Sequence, residues 1–79
     1  MESPITVQMR GDSMYERLQN LVEDYGEVQV RFDSGVEAEL HSFNTDFVDE
    51  PMVKVVTKGE AHWFDAEKVE EMWIHYDYQ

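Results

Sequence analysis

The stretch HWFDAEKVEEMWIHYDY, His62 to Tyr78, holds both tryptophans and two of the three histidines. Its reading decides the fold. As a helix, Val69, Met72, Trp73 and Tyr76 fall on one stripe, which leaves Ile74 and Tyr78 on the wet side. As a strand from about Glu71, Met72, Ile74, Tyr76 and Tyr78 share one face, and Trp73, His75 and Asp77 take the other. WIHYDY is rich in residues that favour strands. Asp65 suits the N-cap of a single helical turn over AEKV. The expectation is a short turn and then a strand over 71–77. That places Trp73 on the less buried side unless a neighbour covers it.

Upstream, Ser13 and Glu16 have the spacing of a capping box. Met14, Leu18, Leu21, Val22 and Tyr25 then recur at helical spacing, and Gly26 is a natural stop. A helix is predicted over 13–25. Period two follows. Val28, Val30 and Phe32 alternate with Gln29 and Arg31; after the Asp33-Ser34-Gly35 turn, Val36, Ala38 and Leu40 alternate with Glu37, Glu39 and His41. These predict a hairpin of strands over 27–33 and 36–42. NTDFVDEP, with its Asn, Thr, Asp and Pro, reads as a loop. Strands are predicted over 52–57 and 60–64, with a turn at Lys58-Gly59. Ile5 to Met9 reads as a short strand or an ordered arm.

The 79 residues suffice for a single domain. Five short strands bend most easily into a small barrel, which removes exposed edges. The expectation is an α+β domain: an N-terminal helix followed by a five-stranded antiparallel barrel. In FDSGVEAELHSFNTDF, a turn glycine (Gly35), an apolar residue five positions on (Leu40) and a polar loop (Asn44, Asp46) resemble the first Sm motif. The resemblance implies an SH3-like barrel of the Sm type. The Arg-Gly of the second Sm motif is absent, and WFDAEKVEEMW stands in its place. Sm-like RNA pockets need that basic residue, so RNA binding does not carry over.

Eighteen acids face six bases, a net charge of −12. The acids recur from Glu2 to Asp77 among aromatic and β-branched residues, which a disordered acidic segment lacks. Screening decays over about 10 Å at 0.1 M salt but about 3 Å at 1 M. A domain of this length has a radius of gyration of roughly 12 Å, so in dilute salt its carboxylates repel across the whole molecule. The composition therefore points to a coat for a concentrated-salt cytoplasm. The alternatives are an acidic mimic of nucleic acid that docks on a basic protein, and a weak RNA or metal binder. The whole chain also resembles small acidic haloarchaeal proteins, which implies a cytoplasmic halophile and no particular activity. Met1 to Ser13 carries no basic n-region or long apolar run, so neither a signal peptide nor a membrane span is expected.

The side chains argue for binding or scaffolding rather than catalysis. There is no cysteine nucleophile, and Ser13 is better used as a cap. No cofactor is implied. Six bases under eighteen acids make a poor footprint for phosphates, but Trp73, His75 and Tyr78 form a candidate aromatic binding surface. Two metal sets are conceivable: His41 with Asp46 and Asp49, or His62 with Asp65 and His75. In the barrel His62 and His75 are cross-strand neighbours; the plainer alternative is two half-exposed polar positions on a sheet. Exposed Trp73, with Phe43, Phe47 and Tyr15, would need a cover, so a homodimer is the expected assembly.

Overall fold

A computed structural model describes residues 13–75. The arm expected at Ile5–Met9 and the predicted surface residue Tyr78 lie outside these residues, as does the end of the last predicted strand. Helix α1 runs Met14–Tyr25. Ser13 caps it: its hydroxyl accepts from the Glu16 N–H at 3.1 Å, and Glu16 accepts from the Ser13 N–H at 3.3 Å. Gly26 ends it at φ 82°, a left-handed conformation that favours glycine. The stripe Tyr15, Leu18 and Val22 is buried.

Six strands follow: β1 (Glu27–Phe32), β2 (Glu37–His41), β3 (Thr45–Asp49), β4 (Met52–Thr57), β5 (Glu60–Asp65) and, after a 3-10 turn at Ala66–Lys68, β6 (Val69–Trp73). They form two antiparallel three-stranded sheets, ordered β2-β1-β6 and β3-β4-β5. Val28 and Val30 of β1, Leu40 of β2, and Val53 and Val55 of β4 meet Leu18 and Val22 of α1 in one core. Ala66 of the turn and Val69 of β6 complete it.

The α+β class and the N-terminal helix agree with the sequence. The opening stretch is a turn and then a strand, with β6 beginning two residues before the expected 71 and ending at Trp73. Two expectations need correction. The first is the strand count. Thr45–Asp49 is a strand, not a loop. Asn44 confines the turn to a few residues: its Oδ1 accepts from the His41 N–H at 2.9 Å and the Thr45 hydroxyl at 2.8 Å. Period two then resumes, with Thr45 buried and Phe47 edge-on to Tyr15 at 5.4 Å between ring centroids.

The second correction is closure: the sheets do not form a barrel. β5 pairs with β4, while β6 pairs with β1. The turn between them sets this. Asp65 Oδ1 accepts from the Glu67 N–H at 2.8 Å, and the Ala66 N–H donates to Pro51 at 2.8 Å. The Asp33 N–H donates to the Lys68 carbonyl at 3.1 Å and ties the exit of the turn to the end of β1. β6 is thereby committed to the first sheet and β5 to the second. The seam between β2 and the β4–β5 hairpin stays open, and hollows of about 970 and 310 Å³ lie along it.

Candidate binding site

The larger hollow is a groove with one residue set from each sheet. Its floor is the outer face of β2-β1-β6, where strand alternation places the polar positions. The register sets Glu27 opposite His41, and Gln29 opposite both Glu39 and Trp73. The far wall is the end of the β4–β5 hairpin, with Val56, Lys58, Glu60 and His62. Each wall comes from a locally specified hairpin, but the groove between them is a product of the open seam.

The floor is more buried than its polarity suggests. Gln29 is only 4% exposed although it points away from the core. Its Nε2 lies 3.5 Å from His75 Nδ1. Among the described residues its Oε1 is a buried polar atom with no hydrogen-bond partner. Glu27 Oε2 is 3.2 Å from His75 Nδ1, and its other oxygen is 3.9 Å from His41 Nδ1. The hydrogen bond from His75 chiefly holds the Glu27 carboxyl below the usual range; partial burial opposes this, and Gln29 and His41 reinforce it. His41 also places Nε2 3.3 Å from Glu39 and stacks on Phe43, with ring centroids 4.9 Å apart and planes 16° apart. Phe43 is 84% exposed, so its outer face is free.

The predicted site residues are partly gathered. Trp73 and His75 line the groove together, and His41 and His62 join them. Trp73 is half-buried, covered by its place opposite Gln29. The exposed tryptophan is Trp63, at 57%, with Lys54 Nζ 5.6 Å from its ring centroid. Tyr15 is buried and Phe47 half-buried, so of the side chains expected to need a cover only Phe43 is fully open.

His62 and His75 are not cross-strand neighbours. His62 sits opposite Val55 on β5 and pairs with Glu60 of its own strand at 2.9 Å, while His75 lies just beyond β6 against Glu27. Of the other metal candidates, Asp65 is spent on the turn and Asp46 faces Lys54 across β3–β4. Among the described residues no three His, Cys, Asp or Glu side chains gather as a metal site.

Sequence reasoning missed Gln29, Glu27 and the His41–Phe43 stack. Alternation marked Gln29 as a solvent-side residue. Its burial comes from Trp73, 44 positions away, and only the β1–β6 register reveals it.

The chain matches no protein-family model, no curated protein and no solved structure. Among the described residues no helix is long and apolar enough to cross a membrane.

Proposed function

We propose that this chain is a cytoplasmic, non-catalytic binding module, adapted to concentrated salt, whose docking face is the groove between its sheets. One observation carries the reading. The groove collects Trp73, the exposed Phe43–His41 stack and a buried, unpartnered amide oxygen on one floor. Binding sites are concave surfaces with aromatic walls and a few placed polar groups, and this floor has both. Each histidine there is engaged by a glutamate, which supports positioning rather than nucleophile activation. The acid excess supports the salt adaptation. Exposed Tyr25, Val48 and Trp63 support a homodimer, measurable by sedimentation equilibrium in molar KCl.

The test is affinity capture from the source cell's extract in molar KCl, with wild type beside Trp73→Ala. A partner held by wild type and lost from the folded variant is expected. A partner held equally by both contradicts the groove as the docking face.

A further inference from the structure

We propose that the groove receives the guanidinium of an arginine side chain presented by a partner protein. This rests on reading the groove as a binding face, and it names the chemistry of the occupant.

The first argument is the unpartnered acceptor. Gln29 is buried in the groove floor and its Oε1 lacks a donor among the described residues. The amide nitrogen lies 3.5 Å from His75 Nδ1, on the side where Gln29 helps to hold the Glu27 carboxyl low, and a flip would turn Oε1 toward that carboxylate. The oxygen therefore belongs on the side away from Glu27. The terminal torsion of glutamine is soft, so a small rotation turns Oε1 toward a donor in the groove. A buried acceptor left unpaired is costly, and a ligand donor relieves that cost.

The second argument is charge. Glu37, Glu39 and Glu60 line the groove against a single lysine, Lys58, and Glu27 stands behind the lining residue His75 at 3.2 Å. The occupant is a cation. Its contact is short-range, so it survives where screening acts over about 3 Å at 1 M salt.

The third argument is shape. The acceptors Gln29 and Glu39 sit opposite each other on β1 and β2 and both line the groove, which suits a forked donor better than a point charge. The Phe43–His41 stack and Trp73 offer flat faces. A guanidinium stacks on such faces while donating in its own plane; an ammonium does not.

The test uses the full chain, isotopically labelled, in molar KCl. N-acetylarginine amide is titrated beside its citrulline and lysine counterparts, and the Gln29 amide and Trp73 indole signals are followed. Arginine is expected to move both signals and to bind about tenfold more tightly than citrulline or lysine, the factor given by one charged or forked contact. Gln29→Leu should stay folded and lose about tenfold in arginine affinity. Phe43→Ala, at an exposed position that cannot unfold the chain, should also weaken it. Citrulline or lysine binding as tightly as arginine overturns the proposal, as does a folded Gln29→Leu or Phe43→Ala that binds arginine unchanged. The capture experiment with Trp73→Ala is independent of these probes. Capture that succeeds where the arginine titration fails removes the guanidinium and leaves the docking face; capture that fails removes the docking face itself.

Discussion

Glu27, at the first position of β1, holds the ring of His75, 48 residues later, at 3.2 Å. The contact fastens the chain beyond β6 to the start of β1 and shapes one end of the groove. The Glu27 carboxyl titrates below its ordinary 4.5, with the His75 hydrogen bond the leading cause. A carboxyl depressed in the folded state stabilises the fold above its unfolded value. That contribution fades as pH falls through the folded value. Replacing His75 by alanine should return the Glu27 carboxyl toward 4.5, read by carbon-detected NMR titration. A midpoint that does not move would show that the contact is idle.

Gln29 makes the opposite kind of prediction. Its unpaired oxygen is a cost in the free chain, so Gln29→Leu should leave stability unchanged or raise it by about 1–3 kcal/mol, the range for an unsatisfied buried group. Urea unfolding measures it. Destabilisation beyond about 1 kcal/mol, the worth of one ordinary hydrogen bond, would mean that the amide already has the partners it needs.

β3 rests on Phe47, which packs edge-on against Tyr15 of α1. Phe47→Ala should destabilise by about 2–3 kcal/mol, less than a fully buried phenylalanine because the ring is half-buried. Phe47→Leu should cost about 1 kcal/mol, the aromatic pairing alone. Equal losses in both variants would place the stabilisation outside the ring pair.

These elements also show what was legible in the chain. The helix was, because Ser13, Glu16 and Gly26 form local hydrogen bonds that residue type and spacing encode. The hairpin β1–β2 was legible from alternation, and the opening stretch resolved to a strand for the same reason. β3 was hidden because Asn44 and Asp46 read as loop residues, while Asn44 serves as a compact turn anchor and Asp46 as the outer face of a strand. Barrel closure was not legible because it depends on which edge β6 joins. The long-range tie from Asp33 to Lys68 decides that. The groove followed from the same event. Trp73 and His75 follow from strand alternation, but Gln29 and Glu27 acquire their roles only with β6 beside β1.

The acid coat predicts salt dependence. With eighteen acids and six bases, the melting temperature should climb steeply as KCl rises into the molar range, as self-repulsion is screened. A melting temperature that stays level from dilute buffer to molar KCl would remove the adaptation to salt and leave the groove untouched.

The groove's claim to be the docking face is tested most directly by mapping the captured partner onto the chain, through backbone and side-chain shift changes in molar KCl. Changes centred on Gln29, Glu39, His41, Phe43, Trp73 and His75 are predicted, with the outer face of α1 at Glu23 and Asp24 still. Changes centred on α1, with the six floor residues still, would contradict it.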